Sequence, residues 1–232
     1  DVHELVQEGD ELVLVMEYLE GENISGLSRR LMSHSDRLPL ALAIHIVAEA
    51  CAGLHAAHEL KGDDGLPLEL VHRDVSPQNL FVTYDGQVKV LDFGVAKARD
   101  NATRTETGSL KGKLEYMAPE QCRSEPVDRR ADIFSLGAVL YELATGRRLF
   151  KRPTQAATMN AVLNDPIVPP SRVVDGFPAD LGAICTKALQ RDPAARYQTA
   201  AEMRRELLAV EKTMGADARP LDEELAALME KL

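Results

Sequence analysis

The sequence predicts an α+β fold in which most of the chain is helical and the strands are few and short. Two patterns support this prediction. Short apolar runs separated by turn residues are typical of hairpins, and longer segments with apolar residues every three or four positions are typical of helices. Hairpin patterns occur only in the first ninety residues, and helical patterns fill most of the remainder. With 232 residues, the chain is long enough for one large hydrophobic core.

Two β-hairpins are predicted. Each has two runs of branched or bulky apolar residues on either side of a turn. The first turn is Glu8-Gly9-Asp10, and the second is Asp85-Gly86, in which glycine supplies a positive φ at low cost. The paired runs are 2–6 with 11–16 and 80–82 with 88–90.

Six segments have the apolar spacing of helices, and the first begins at Pro39, a residue that suits the first helical position. Its histidines, including His58, are expected to be surface or satisfied core residues rather than metal ligands. The last segment follows a break at Gly215 and Pro220, so it either docks on the domain or leads into a linker. The six segments are 39–60, 129–144, 154–163, 179–190, 199–212 and 221–232.

Composition narrows the classes of partner. The formal net charge is -10, which argues against nucleic acid as the main partner, because such binding needs a basic face. The three cysteines are far apart and predict free thiols in a reducing cytoplasm. Even the apolar run 41–54 contains His45 and Glu49, so no membrane segment is predicted, and any membrane anchor of a parent protein would lie outside this chain.

Three short motifs carry the chemistry. His72-Arg73-Asp74 opens the run HRDVSPQN, Asp92-Phe93-Gly94 begins eighteen residues after Asp74, and Ala118-Pro119-Glu120 follows. Phosphoryl transfer needs a group that receives the hydroxyl proton and cations that meet the phosphate charge. Asp74 suits the first role, and Asn79 and Asp92 offer the hard oxygen ligands that Mg²⁺ prefers. The hairpin between them would bring both oxygens to one side.

In this order the motifs resemble the signature set of protein kinases. From near its start to about residue 212, the chain is similar to the bacterial members of the eukaryotic-like Ser/Thr protein kinase family. The resemblance implies ATP and Mg²⁺ as cofactors, protein substrates, and a cytoplasmic domain whose parent could form a homodimer. It divides the chain into an N-lobe remnant with the hinge at 1–20, a helical C-terminal lobe at 21–212, and a helical extension or linker at 213–232.

The resemblance also assigns a nucleotide site. Met16 would be the gatekeeper residue, and Glu17 to Leu19 would be the hinge whose backbone holds the adenine edge. Phe81 would lie under the adenine ring. His72 and Phe93 would stack on one another.

The resemblance also implies two structural contacts that hold the site in place without taking part in the reaction. Asp132, in ADIFSLG, would orient the catalytic loop. Glu120 and Arg196 would form an ion pair in the C-terminal lobe.

The chain departs from the family at its start. The family's small N-terminal lobe carries a Gly-rich phosphate loop, a strand lysine and a helix glutamate. None of these can be placed in the sixteen residues that precede Glu17. We therefore expect the chain to be a piece of a longer protein and to be nearly inactive alone.

A second departure concerns two positions beside Asp74. The family usually has lysine where this chain has Ser76, and threonine where Lys113 follows Gly112. One interpretation is an exchange, in which Lys113 reaches the site from the opposite side and Ser76 is its neighbour. The alternative is two independent changes that leave Lys113 in solvent.

Arg73 predicts regulation, because in the family such an arginine pairs with a phosphorylated residue of the activation loop. Ser109, three residues before Gly112, is the best positional match, and Thr105 and Thr107 are further candidates.

Two rival functions stay open from the sequence. A pseudokinase or scaffold is suggested by Ser76 and the absent phosphate loop, whereas intact Asp74, Asn79 and Asp92 argue against it. A small-molecule kinase of related fold is the other rival, and the segment GKLEYMAPE favours a protein substrate instead.

Overall fold

The structure is a computed structural model that describes residues 2–9, 11–34, 36–93, 113–214 and 220–231. The described strands form two small antiparallel sheets. One is the hairpin of β1 and β2, and the other has the order β3-β4-β5. The strands are β1 Val2–Glu8, β2 Glu11–Met16, β3 Gly21–Asn23, β4 Leu80–Thr83 and β5 Val88–Val90.

Helices make up most of the described chain, as expected. Three single turns of 3₁₀-helix, Leu114–Tyr116, Pro170–Arg172 and Pro193–Ala195, join the longer helices. The α-helices are α1 Ile24–Ser33, α2 Leu40–His58, α3 Pro119–Cys122, α4 Arg130–Thr145, α5 Gln155–Asn164, α6 Ala179–Ala188, α7 Ala200–Met214 and α8 Leu221–Lys231.

Both predicted hairpins and all six predicted helices are confirmed, with ends that differ by a few residues. Strand β3, which begins at Gly21, is not among the predicted elements. This strand is three residues long, which is too short to show an alternation of apolar and polar residues, and it is defined by its pairing with β4. A Cβ on Gly21 would lie 2.1 Å from the carbonyl oxygen of Val82, which explains why glycine occupies this position.

Helix α1 was not predicted, although a local signal for it exists. The side chain of Asn23 accepts a hydrogen bond from the backbone N–H of Gly26 at 2.8 Å, which caps the helix. Ile24, Leu27 and Leu31 then bury one face. The glycine and serines of the segment weaken its helical period, so the cap was the better indicator.

Helix α2 forms the centre of the domain. It packs against α4, α7, β5 and α8, and Ile44, Ile46 and Leu54 are fully buried. By length and composition alone, α2 could also cross a membrane. The same composition is expected of a helix that is buried in a protein core, which is the position that α2 occupies here.

Helix α8 packs on the domain. Leu225 is completely buried and Met229 is 5% exposed, and both belong to the hydrophobic core cluster. At its first turn, the carbonyl oxygen of Asp222 lies against Gly86 in the β4–β5 turn. A Cβ on Gly86 would lie 2.0 Å from that oxygen. The missing side chain of Gly86 therefore allows α8 to approach the hairpin.

This contact predicts a difference between two glycines. Gly86 has φ +86° and Gly65 has φ +78°, and a Cβ on Gly65 would meet no atom within 4 Å. Alanine costs about 1–2 kcal/mol at either position, because of its left-handed backbone. Gly86→Ala should lose clearly more, since it also displaces α8. Chemical denaturation and limited proteolysis of α8 measure this, and equal losses in the two variants would contradict the contact.

Candidate active site

A buried carboxylate holds the loop that contains the first motif. Asp132, in the first turn of α4, is completely buried. Its Oδ2 accepts hydrogen bonds from the backbone N–H of His72 at 2.9 Å and from Nε2 of His58 at 2.8 Å. Its Oδ1 accepts from the backbone N–H of Arg73 at 2.8 Å. Three donors thus compensate the burial of one charge, as a buried carboxylate requires.

The same loop is held in a tight turn by His72. Arg73 has φ +63°, a left-handed conformation that non-glycine residues seldom adopt. Nε2 of His72 donates to the carbonyl oxygen of Leu91 at 2.7 Å, so Nδ1 can accept from the backbone N–H of Asp74 at 3.3 Å. The ring of His72 also lies 4.7 Å, centroid to centroid, from that of Phe93. The first two motifs are therefore in direct contact.

Asp74 is placed between two side-chain donors. Nζ of Lys113 donates to Oδ2 of Asp74 at 2.6 Å, and Nδ2 of Asn79 donates to the same oxygen at 3.2 Å. Nδ2 of Asn79 also donates to the backbone carbonyl of Asp74 at 2.8 Å. The side chains of Lys113 and Asp74 are 22% and 17% exposed, so the carboxylate remains accessible from solvent.

The candidate metal ligands are brought together by the second hairpin. The backbone N–H of Leu91 donates to the carbonyl oxygen of Asn79 at 2.8 Å, which places Asp92 next to the end of the catalytic loop. Asp92 is exposed and has φ +55°. Because Nδ2 of Asn79 is the donating atom, its Oδ1 is the oxygen that could bind a cation. An amide oxygen and a carboxylate are a fitting ligand pair for a divalent ion that also binds phosphate oxygens.

The hydroxyl of Ser76 lies in the site without a partner among the described residues, although its backbone carbonyl accepts a hydrogen bond from the N–H of Asn79 at 2.9 Å. The residue is 1% exposed, and its Oγ has no hydrogen-bond partner in the described part of the chain. Lys113 reaches Asp74, as the exchange interpretation requires, but it does not hydrogen-bond to Ser76. The alternative interpretation, which leaves Lys113 in solvent, does not fit its contact with Asp74. The coupling of the two positions stays a prediction.

The residues assigned to adenine lie on two elements. Met16 ends β2 and is 52% exposed, Glu17 is exposed, and Leu19 is partly buried. Phe81 lies on β4 and is partly buried, and its ring contacts Gly21 so closely that a Cβ there would lie 2.8 Å from Cε1. The assignment of these four residues to a nucleotide stays a prediction.

The third motif, with the residue that follows it, is hydrogen-bonded both to a buried arginine and to the catalytic loop, the run HRDVSPQN. Arg196 is 3% exposed, and its Nη1 and Nη2 donate to the two carboxylate oxygens of Glu120 at 2.7 Å each. Next to Glu120, Nε2 of Gln121 donates to the carbonyl oxygen of Arg73 at 2.9 Å. Helix α3 therefore connects the Arg196 pair to the loop that carries Asp74.

The segment between Lys113 and α3 is anchored by charged and polar groups. Oγ of Ser135 donates to the carbonyl oxygen of Tyr116 at 2.7 Å, and the hydroxyl of Tyr116 donates to Glu142. Nη1 of Arg148 donates to Glu115 at 2.9 Å. Burial raises the pKa of Glu115 above its ordinary value, although Arg148 opposes this shift. Burial and the neighbouring Glu142 raise the pKa of Tyr116, so its hydroxyl stays protonated.

Three predicted regulatory positions, Ser109, Thr105 and Thr107, lie outside the described residues, as do Gly94 and Gly112. Arg73 is described and is partly buried, and its backbone carbonyl accepts the hydrogen bond from Nε2 of Gln121. Its assignment to a phosphorylated partner stays a prediction.

Two supporting residues were not recognised as such from the sequence. His58 was expected to be an ordinary surface or core residue, and Gln121 received no role. His58 contacts a residue 74 positions away, and Gln121 one 48 positions away, so no local spacing marks either contact. For Gln121, its position directly after Glu120 of the third motif is the one signal that the sequence offers. His58 is not adjacent to any of the three motifs in sequence.

Comparison with known proteins agrees with this geometry. Residues 1–208 match the protein kinase domain family. The chain is 48% identical over 187 residues to the tyrosine-protein kinase MasK of Myxococcus xanthus, covering 81% of this chain and 29% of MasK. It is 42% identical over 201 residues to the serine/threonine-protein kinase PknB of Mycobacterium leprae, covering 85% of this chain and 30% of PknB.

A third relative is the probable serine/threonine-protein kinase CPE1738 of Clostridium perfringens, which is 35% identical over 199 residues, or 86% of this chain and 27% of the relative. The chain thus spans about 30% of the length of the curated relatives it matches. The fold and the matching family model define a protein kinase domain. The chain belongs to the protein kinase family, which in general uses ATP and a divalent metal ion.

The Glu120–Arg196 pair gives a stability prediction. Glu120→Ala should lower the free energy of unfolding by about 3–5 kcal/mol, because it leaves a buried guanidinium without its carboxylate. A matched control is Glu59→Ala, which removes an ion pair to Arg129 whose side chains are 52% and 41% exposed. That change should cost no more than about 1 kcal/mol. Urea denaturation of both variants tests this, and similar losses would show that burial does not set the difference.

Proposed function

We propose that the chain forms the catalytic lobe of a protein kinase that transfers the γ-phosphoryl group of ATP, with Mg²⁺, to serine and threonine hydroxyls of proteins. The observation that carries the proposal is the placement of Asp74, whose partly accessible carboxylate lies between Lys113 and Asn79. The similarity to PknB favours serine and threonine, whereas MasK is named a tyrosine kinase. Phosphoamino-acid analysis of a labelled protein substrate separates the two acceptor classes.

In the proposed reaction, the hydroxyl oxygen of the acceptor forms a bond to the γ-phosphorus, and the bond from that phosphorus to the leaving oxygen of ADP breaks. The hydroxyl proton passes to Asp74. Asn79 and Asp92 would hold Mg²⁺, which would neutralise charge on the phosphates. Asn79 has a second role, because its Nδ2 orients the carboxylate of Asp74.

Lys113 would supply a positive charge close to the transferred group. Its Nζ lies 2.6 Å from Oδ2 of Asp74. The amine approaches from the segment that precedes α3, not from the catalytic loop, which is what the exchange interpretation requires. The electrostatic attraction between this positive charge and the transferred group would be stronger than in water, because both side chains are partly buried.

The remaining assignments complete the proposal. Met16, Glu17, Leu19 and Phe81 would bind the adenine, with the hinge backbone holding its polar edge. Residues 1–20 would belong to the N-terminal lobe, 21–212 to the C-terminal lobe, and 213–232 to an extension whose α8 packs on that lobe.

Regulation would act through Arg73. We propose that a phosphate in the segment 103–109, foremost on Ser109, pairs with this arginine, because one phosphate can make one to three charge-assisted hydrogen bonds. Arg73 also lies in the turn that Asp132 holds, so such a bond would act directly on the catalytic loop. Mass spectrometry of the active protein tests the proposal, and full activity with that segment unmodified would contradict it.

A cytoplasmic location fits the cysteines. All three described cysteines are free, and burial raises the pKa of the Cys122 thiol to about 11 and that of Cys185 to about 12. Such thiols stay protonated and are poor nucleophiles, as expected of structural cysteines in a reducing compartment.

The role of Asp74 predicts a specific loss of rate. In the complete gene product, Asp74→Asn should lower kcat by about 10²–10⁴, the usual contribution of a positioned proton acceptor. The amide keeps the shape of the side chain, so folding should change little. Asp63→Asn, in an exposed loop, is the matched control and should keep full activity. Unaltered phosphorylation by the Asp74 variant would refute the kinase proposal.

The role of Lys113 predicts coupling with position 76. Lys113→Ala should lower kcat about ten- to hundredfold, since one charge-assisted hydrogen bond contributes about 1.5–3 kcal/mol. Ser76→Lys with Lys113→Thr should recover much of this activity, because the charge returns from the opposite side. Ser76→Lys alone should be less active than the double variant, because two ammonium groups would then lie close together.

A double-mutant cycle measures this coupling. Additive effects at the two positions would show that the changes are independent and that Lys113 does not replace the family's lysine.

A further inference from the structure

A groove lined by residues of α2 and α7 contains several basic side chains in an otherwise acidic protein. It lies between α2 and α7 and has a volume of about 550 Å³. Its floor is formed by small or apolar residues, including Ala52, Ala56, Ala201 and Leu208. None of these residues takes part in the site around Asp74. The groove is therefore separate from the proposed active site.

Basic groups line the groove, although the chain carries a net charge of -10. They are His55 from α2 and Arg204, Arg205 and Lys212 from α7, and no carboxylate is among the described residues that line it. Arg205 and Lys212 are exposed, and neither has an ion pair within the described ranges. A local excess of positive charge in an acidic protein favours an anionic partner.

Two residues that line the groove each have a buried nitrogen atom without a partner in the described part of the chain. Nη2 of Arg204 pairs with Glu49 at 2.8 Å, but its Nε has no hydrogen-bond partner in the described chain. Nδ1 of His55 is likewise buried and unpaired there. A guanidinium always carries its protons, so Nε is a donor that needs an acceptor. The Arg204 side chain is 37% exposed, so an acceptor from outside the chain would meet its accessible atoms rather than Nε.

The shape of the groove matches a helix. Positions 201, 205, 208 and 212 repeat every three or four residues along α7, so they form one stripe. At 1.5 Å per residue, this stripe is about 16 Å long, the length of a helix of about 11 residues. The alanines of the floor allow a second helix to approach closely. A helix in a groove is one of the common modes of peptide recognition.

We propose that the groove between α2 and α7 binds an acidic amphipathic helix of a partner protein. The apolar face of that helix would lie on Ala52, Ala56 and Leu208. Its carboxylates would reach the exposed side chains of Arg205 and Lys212 on the rim. The concave shape and apolar floor favour a helix over a flat anionic membrane surface. This binding is independent of the proposed catalytic function.

The test uses the full 232-residue chain and a fluorescent helical peptide of about 14 residues, with leucine and alanine on one face and glutamate on the other. Fluorescence anisotropy should show binding that weakens as salt is raised, because exposed charges are screened. A scrambled peptide of equal composition should bind at least about tenfold more weakly, which is about 1.4 kcal/mol. Equal binding of both peptides would overturn the proposal.

Charge reversal locates the site. Arg205→Glu with Lys212→Glu should weaken peptide binding at least about tenfold. The matched control is Arg29→Glu with Arg172→Glu, which makes the same change of charge at exposed positions outside the groove and should alter binding less than about twofold. Equal weakening in both variants would mean general attraction to the protein surface and would overturn the proposal.

A substitution that does not change the charge tests whether the peptide binds in the groove itself. Ala209→Trp, at an exposed groove position, should block the peptide without a change of charge, and a thermal melt confirms that the variant is folded. Two other occupants are distinguished by further measurements. Equal binding of anionic lipid vesicles, or self-association that is lost in the Arg205→Glu/Lys212→Glu variant, would assign the groove to a membrane or a second copy and overturn the proposal.

Discussion

The catalytic geometry depends on the burial of one charged side chain, Asp132. Its carboxylate is shielded from water and would be unfavourable there without compensation. The backbone of His72 and Arg73 and the ring of His58 provide that compensation. Because all three donors point at a single group, the loop can adopt the left-handed conformation at Arg73 and still have its polar atoms paired. The strain is offset by the bonds that the turn makes possible.

A second buried charge stabilises the same loop from the other side. Arg196 holds Glu120, and Gln121, the next residue, donates to the carbonyl oxygen of Arg73. Asp132 therefore accepts hydrogen bonds from the N–H groups of the turn, and Gln121 of α3 donates one to the carbonyl oxygen of Arg73. The residue that follows this turn is Asp74, so its carboxylate is presented by a backbone that two rigid helices fix. Such preorganisation is what phosphoryl transfer asks of a protein, because most of its catalysis is positioning.

Under the proposed exchange, Lys113 would keep a positive charge beside Asp74 while changing the element that supplies it. A site needs positive charge at a point in space, and the side chain that provides it can come from any element that reaches that point. Ser76 is buried at the position where the family's lysine would begin, and its Oγ has no hydrogen-bond partner among the described residues. The unpaired hydroxyl fits a position whose usual side chain has been replaced rather than one selected for its own bonds.

The sequence by itself determined the family, both hairpins and the six periodic helices, because these depend on local spacing and motif order. It also predicted the roles of Asp74, Asn79 and Asp92. Only the tertiary structure decided which groups Lys113, His58 and Gln121 contact. Their partners lie 39, 74 and 48 positions away. Contacts at such separations are made by packing of whole helices, and no periodicity records them. The same holds for α8, whose docking against Gly86 depends on the space left by a missing side chain.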